Sequence, residues 1–226
     1  MALDAGLDGP SALALTDSGR LLFIAVHDTN ALPAQPGGAI LRYDITTDTL
    51  TVFNRTDFAV GEATRAITGL VHFKGRLYLG TSDGVTARIN TYSAGANLTS
   101  GSLVGVATLP AGAATRGIAI DRINSTLYAA SDTTIYRAPV TTSTALTFTS
   151  VGGISDIRGL AWSDHYGISG PGLYVLSSSG PSASTRFVNA AQAQGTQAFA
   201  PTLYYTPTTE QFSITTTADG RLLEGQ

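Results

Sequence analysis

Three arginines and three aspartates recur in similar sequence contexts. The arginines directly precede apolar runs, in the segments "TRAITG", "TRGIA" and "IRGLA", and the aspartates follow other apolar runs, in "VHDT", "TSDG" and "ASDT". The guanidinium group forms a planar fork that bonds carboxylates, either within the protein or on a ligand. We therefore single out six residues as a candidate binding site of mixed charge, without catalytic function: Arg65, Arg116, Arg158, Asp28, Asp83 and Asp132.

Other site chemistries find little support in the sequence. The chain has no cysteine, and its three histidines, His27, His72 and His165, are not spaced as metal ligands. Neither a Gly-X-Ser-X-Gly elbow, a Gly-rich phosphate loop nor an EF-hand pattern occurs. We expect no metal site, no cofactor and no enzymatic activity.

The composition of the chain argues against two classes of binding partner, nucleic acids and membranes. Charged residues make up 13% of 226 residues and the formal net charge is −3, so the chain lacks the basic character of nucleic-acid-binding proteins. The first residues do not resemble a signal peptide, and the longest purely apolar run, "LLFIAV", is far shorter than the ~20 residues of a membrane-spanning helix. We expect neither nucleic-acid binding nor membrane insertion.

Short apolar runs recur in a fixed order about every 50 residues. Each unit begins with a run such as "GLVHF" or "GIAID" and continues with a Leu-aromatic pair. A third run holding one arginine and a fourth apolar run follow. The Leu-aromatic pairs are Leu22-Phe23, Leu77-Tyr78, Leu127-Tyr128 and Leu173-Tyr174, with a weaker pair at Leu222-Leu223. Within the runs, apolar residues alternate with a period near two, and Gly, Pro, Asp and Ser separate them, which predicts β-strands.

Four short strands in each unit are typical of β-propeller blades. A β-sandwich is the alternative, but it does not require the same segments to return in the same order. We predict one all-β propeller domain over residues 1–226, with blades at about 10–60, 61–112, 113–153 and 154–207 and an incomplete fifth blade at 208–226. The recurring Asp17, Asp121, Asp164 and Asp219 are assigned to turns rather than to calcium binding.

The unit that runs from Gly117 to Arg137, "GIAIDRINSTLYAASDTTIYR", resembles the repeats of NHL-type, YWTD-type and gluconolactonase-like propellers. The resemblance implies that first strands line a central channel and that the six candidate residues face its mouth. It also makes a gluconolactonase-like hydrolase a possible function, which we rank third. Gluconolactonase-like enzymes hold a metal with a glutamate, asparagines and an aspartate, and here Glu62 and Glu210 lack accompanying asparagines.

Two functions of different class rank ahead of hydrolysis. The first is a non-catalytic interaction module of a larger assembly, such as a virion, an appendage or a cell-surface structure, which favours a virion or extracellular location over the cytoplasm. Its expected partners are protein subunits that contact the edge of the last blade and the loops 27–38, 163–172 and 189–199. The second is a propeller that binds a glycan or a small acid at the Arg/Asp mouth.

Overall fold

The computed structural model describes residues 10–27, 38–55, 66–82, 85–93, 98–164, 170–178, 184–206, 213–216 and 222–225. The chain divides into two compact units, Met1–Thr108 and Leu109–Gln226. Each unit is built from antiparallel sheets in which sequential strands are neighbours. The repeat in the sequence therefore corresponds to a repeat of sheets.

The first unit contains two four-stranded sheets. The first sheet consists of β1 (Pro10–Leu15), β2 (Leu21–His27), β3 (Gly38–Asp44) and β4 (Thr49–Asn54). The second consists of β5 (Ala66–Phe73), β6 (Arg76–Ser82), β7 (Ala87–Ser93) and β8 (Ser102–Thr108). Strand β1 lies alongside β5, so the two sheets pack through their first strands.

The second unit contains two further four-stranded sheets and a two-stranded one. The third sheet consists of β9 (Gly117–Asp121), β10 (Thr126–Ala130), β11 (Thr134–Pro139) and β12 (Thr149–Gly153). The fourth consists of β13 (Ile157–Ser163), β14 (Gly172–Ser177), β15 (Ser184–Asn189) and β16 (Thr202–Tyr205), with the short helix α1 (Ala190–Ala193) before β16. The fifth sheet pairs β17 (Ser213–Thr216) with β18 (Leu222–Gly225), and β13 lies between β9 and β17.

Every strand assignment made from the repeat is confirmed. All five Leu-aromatic or Leu-Leu pairs lie in second strands: β2, β6, β10, β14 and β18. The arginines of the third runs lie in the third strands β3, β7, β11 and β15. Each complete sheet is a four-stranded meander, as in a propeller blade, and the predicted all-β propeller class holds.

The cores lie between adjacent sheets because each strand alternates its side chains between two faces. In the first unit, Phe23 is fully buried, meets Phe53 edge-on with ring centroids 5.0 Å apart and stacks on His72. In the second unit, Tyr128 and Trp162 stack in parallel, 5.2 Å apart. The lone tryptophan thus joins the third sheet to the fourth.

Local hydrogen bonds close the turns between strands. The buried Asp121 carboxylate accepts bonds from the backbone N–H of Asn124 at 2.9 Å and from its side-chain amide at 2.8 Å. This bonding confirms the turn role predicted for Asp121. Asp164, also assigned to a turn, accepts a bond at 2.6 Å from the indole N–H of Trp162.

Asp44 is the last residue of β3, and several hydrogen-bond donors surround its carboxylate. Its carboxylate, 5% exposed, accepts bonds from the guanidinium groups of Arg20 and Arg42 and from the backbone N–H of Thr46. The bond from Arg20, which favours the ionised form, lowers the pKa of Asp44 below its ordinary value.

Replacement of Asp44 by Asn should lower the melting temperature at neutral pH because the arginines lose their anionic acceptor. A lowered pKa in the folded state means that the ionised carboxylate stabilises the fold above the unfolded pKa, about 4, and less as the pH falls through the folded value. The difference in melting temperature between wild type and Asp44→Asn should therefore shrink between pH 7 and pH 3 in calorimetry. An equal difference at both pH values would contradict this prediction.

Candidate functional site

Arg116 and Asp132 form an ion pair at one end of the third sheet. Arg116 precedes β9, its backbone N–H donates to the carbonyl of Ala130, and Asp132 follows β10 in the turn to β11. The Nε of Arg116 donates to Oδ1 of Asp132 at 2.5 Å. Their side chains are 38% and 39% exposed, so both remain accessible to water.

Arg158 forms a second pair near the first. Its Nη2 lies 3.1 Å from Oδ1 of Asp156, a residue that adopts a positive φ of 53° in the turn before β13. Backbone bonds tie this turn to the third sheet: the N–H of Ile157 donates to the carbonyl of Asp132 at 2.8 Å, and that of Ile154 to the carbonyl of Thr133 at 3.0 Å. Asp132 thus binds Arg116 through its carboxylate and holds the residue before Arg158 through its carbonyl.

The structure thus brings together Arg116, Asp132 and Arg158, three of the six candidate residues. Arg65, Asp28 and Asp83 lie outside the described residues. The described pairs are local: Arg116 bonds Asp132 within its own sheet, and Arg158 bonds a residue of its own turn. At this end of the third sheet, the contact with the turn before β13 is made by backbone groups.

Serines at the ends of second strands support the same turns, and the sequence reasoning did not identify them. Ser131 is buried, and its hydroxyl donates to the carbonyl of Thr134. The hydroxyls of Ser177 and Ser184, paired residues at the adjacent ends of β14 and β15, lie 3.0 Å apart. The available signal was the serine in each of the segments "TSDG", "ASDT" and "LSSS".

Arg116→Ala should lower the free energy of unfolding by less than about 1 kcal/mol, because ion pairs that remain accessible to water contribute little to stability. Urea denaturation of wild type and variant measures this difference. A loss above about 2 kcal/mol would show that Arg116 has a mainly structural role. A loss below about 1 kcal/mol would be consistent with a role of the guanidinium group in ligand binding.

The segment 189–199, expected to contact a partner, packs within its own unit. Asn189 caps α1 by accepting a bond from the N–H of Gln192, and Gln194 donates to Asp121 at 3.4 Å. The ring of Phe199 covers Gly152 of β12 so closely that a Cβ there would lie 2.2 Å from the ring. These contacts tie the fourth sheet to the third.

Among the described strands, β1 and β16 each expose more than one large apolar side chain. In β1, Leu13 and Leu15 are 57% and 47% exposed, whereas every residue of β9 is buried. In β16, all residues are exposed, including Leu203 at 60%, Tyr204 at 47% and Tyr205 at 49%. Large apolar patches on a protein surface often mark interaction sites.

Within the described ranges, no three acidic or histidine side chains come together in a way that could hold a metal ion. No helix in that part of the chain is long and apolar enough to cross a membrane.

No protein-family model matches the sequence, and no curated protein is similar to it. Several solved structures are similar in fold. A chain of the nidogen/laminin complex shares 16% identity and a TM-score of 0.62 over 94% of this chain and 70% of its own length. The periplasmic gluconolactonase PpgL of Pseudomonas aeruginosa shares 14% identity and a TM-score of 0.62 over 96% of this chain and 63% of its own length.

A third similar structure is PorZ, an essential bacterial surface component of the type-IX secretion system of Porphyromonas gingivalis. It shares 12% identity and a TM-score of 0.58 over 96% of this chain. The chain spans less than two thirds of PpgL and 32% of PorZ. At these identities the likeness shows the fold alone, a β-propeller, which is the fold that the resemblance implied.

Proposed function

Because this chain has the β-propeller fold, we propose that it is a non-catalytic interaction module of a larger assembly, such as a virion, an appendage or a cell-surface structure. The observation that carries the proposal is the open face of β1. In β9, which lies beside β13, all residues are buried, and in β13, which lies between β9 and β17, only Arg158 is exposed. Strand β1 has β5 on one side, yet Leu13 and Leu15 point to solvent.

A sheet from a partner subunit would cover this face in the way that β5 covers the opposite one. Full burial of a leucine stabilises by about 1.5–3 kcal/mol, so covering the exposed halves of Leu13 and Leu15 contributes roughly 2 kcal/mol in total. The surface is therefore suited to association rather than to catalysis. Location in a virion or outside the cell, and partner contacts at the loops 27–38 and 163–172, belong to the same proposal.

The test compares wild type with a Leu13→Ser/Leu15→Ser variant and with Val85→Ser, a control at a side chain that is 81% exposed outside the strands. Each tagged chain is expressed in the natural host, and its assemblies are analysed by native mass spectrometry. We expect a stoichiometric partner with wild type and with the control, and its loss with the double variant. The identified partner should rebind purified wild type. A chain recovered alone, or a partner kept by all three proteins, would refute the role of β1.

A second candidate function rests on the two exposed pairs Arg116–Asp132 and Asp156–Arg158. Two guanidinium groups beside carboxylates at the end of one unit offer donors and acceptors to a sugar acid or a glycan. Thermal melting with gluconate as the probe tests it. Saturable stabilisation of wild type that is lost in Arg116→Ala would support binding, and no stabilisation of wild type would exclude this ligand.

A further inference from the structure

A β-bulge at the start of β13 presents Arg158. The register of β13 with β14 shifts between Ile157 and Gly159, so Arg158 between them is an extra residue. Its neighbours fill the covered faces of the strand: Ile157 belongs to the core shared with the third sheet, and Gly159 is approached by Ile214 of β17. Every other residue of β13 is buried, whereas Arg158 is exposed. A β-bulge re-aims a side chain, and bulges are frequent beside functional sites.

Arg116 has the same position before β9. Its N–H donates to the carbonyl of Ala130, which is also the register partner of Gly117, so two consecutive residues face one. All residues of β9 are buried, whereas the side chain of Arg116 is 38% exposed. In the first unit, register shifts place Ser11 and Thr68 at the corresponding bulges of β1 and β5. Among the described bulges, those that present a guanidinium group therefore belong to the second unit.

The two arginines extend from adjacent points of the backbone. Gly117 and Gly159, the residues that follow them, are packed together: a Cβ on Gly117 would lie 3.2 Å from Cα of Gly159. Asp132 contacts both sides, because its carboxylate accepts a bond from Arg116 and its carbonyl accepts one from the N–H of Ile157. Both guanidinium groups can therefore reach the same small ligand.

The ion pairs leave part of each charged group exposed to solvent. Arg116 uses its Nε for Asp132, and Arg158 uses Nη2 for Asp156. The four side chains are between 38% and 43% exposed. A guanidinium group has five N–H donors and a carboxylate has two oxygen acceptors, more than one contact uses. The site thus offers donors and acceptors side by side at an exposed surface.

The charges of these four side chains limit the class of ligand. Two arginines are balanced by two aspartates, so the four groups have no net charge. A ligand with two negative charges would meet repulsion from Asp132 and Asp156 without a surplus of positive charge to offset it. A single carboxylate meets less repulsion, and a donor group next to it can bond Asp132. The site therefore fits a ligand that carries both groups on neighbouring atoms.

We propose that Arg116, Asp132 and Arg158 bind a small carboxylate with a hydrogen-bond donor on its α-carbon, that is, an α-hydroxy or an α-amino acid. The two guanidinium groups bind the carboxylate of the ligand, and the carboxylate of Asp132 accepts from its hydroxyl or ammonium group. This inference rests on the second candidate function and narrows it to one recognised group. A sugar acid such as gluconate contains that group, whereas a neutral glycan does not.

The probes are lactate, alanine and propionate, which carry a hydroxyl, an ammonium group and a hydrogen on the α-carbon. Each is titrated into isotope-labelled protein at constant pH and ionic strength, and NMR chemical-shift changes give the Kd. We expect lactate or alanine to bind about fivefold or more tightly than propionate, the gain from one hydrogen bond to a charged group. The tighter of the two identifies the donor as a hydroxyl or an ammonium group.

Two variants separate the roles of the side chains. Arg158→Gln should weaken binding of all three probes about fivefold or more. Asp132→Ala should remove the preference over propionate and leave the Kd of propionate within about twofold, a pattern that a loss of structure would not give. Arg122→Gln, at an exposed arginine in the turn between β9 and β10, is the matched control and should bind as wild type does.

Three results would overturn the proposal. The first is the absence of saturable shifts with both lactate and alanine. The second is binding of propionate to wild type as tightly as the other two probes. The third is an unchanged preference in Asp132→Ala.

Failure of this inference can be told apart from failure of the second candidate function. Gluconate that stabilises wild type but not Arg116→Ala, with no preference for lactate or alanine over propionate, leaves the binding function standing and removes the narrower assignment. No stabilisation by gluconate, together with selective binding of alanine, excludes the sugar acid and leaves an α-amino acid as the ligand. The interaction role of β1 is tested separately by Leu13→Ser/Leu15→Ser.

Discussion

Trp162→Ala should lower the free energy of unfolding by about 3–5 kcal/mol, the usual cost of truncating a large buried aromatic residue. Trp162 is 7% exposed and stacks on Tyr128 with an angle of 7° between the rings. The same cluster contains Ile157, Val175 and Leu173, so the truncation leaves a cavity between two sheets. Urea denaturation followed by circular dichroism gives the value without relying on the fluorescence of the lost indole.

The controls for this prediction separate packing from other effects. Trp162→Phe keeps most of the ring contact and should lose less than half as much stability as Trp162→Ala. Ile123→Ala, at a side chain that is 67% exposed, should change the free energy of unfolding by less than about 0.5 kcal/mol. A loss below about 1 kcal/mol for Trp162→Ala would show that this ring does not join the two sheets.

Gly117→Ala should destabilise the protein by about 1–3 kcal/mol or more, because added atoms in a packed interior force shifts of side chains and backbone. A Cβ at Gly117 would lie 2.8 Å from the backbone nitrogen of Leu160 and 3.2 Å from the carbonyl carbon of Gly159. Both neighbours belong to β13, a strand held in its own sheet, so neither moves at low cost. The strands β9 and β13 would have to separate.

Gly153→Ala is the matched control for this prediction. Gly153 is an exposed residue of the outer strand β12, and its Cβ would meet only the carbonyl of Thr133, at 3.3 Å. We expect a change within about 1 kcal/mol for this variant in the same urea titration. A Gly117→Ala protein as stable as wild type would mean that the first strands of the third and fourth sheets are farther apart than described.

The order of strands within each sheet could be predicted from the sequence because it depends on local chemistry. Alternating apolar residues specify a strand, and the Asp, Gly and Ser residues between runs specify turns to the next strand. The pairs Leu77-Tyr78 and Leu127-Tyr128 therefore lie at equivalent places in β6 and β10. The turn role of Asp121 follows from the same local rule, since its acceptor bonds span three residues.

Half of the candidate site could also be placed from the sequence, but its bonding could not. Arg116 and Asp132 were assigned to one end of a blade, and they do lie there. Whether an arginine bonds its own sheet or the next depends on the direction of a long side chain and on the path of the linking turn. Asp156, the partner of Arg158, adopts a positive φ of 53°, and no recurring pattern of the repeat encodes this conformation.

The sequence by itself determined the all-β class, the five-part repeat and the position of every described strand, since these follow from periodicity within about ten residues of chain. Only the tertiary structure decided which faces are covered. The exposed Leu13 of β1 and the buried Ile118 of β9 belong to equivalent apolar first strands, yet the first side chain is 57% exposed and the second 7%. Likewise, Phe199 packs on Gly152, whereas Tyr205 remains exposed. Burial on a sheet face depends on a partner distant in sequence, and no local pattern reports whether that partner is present.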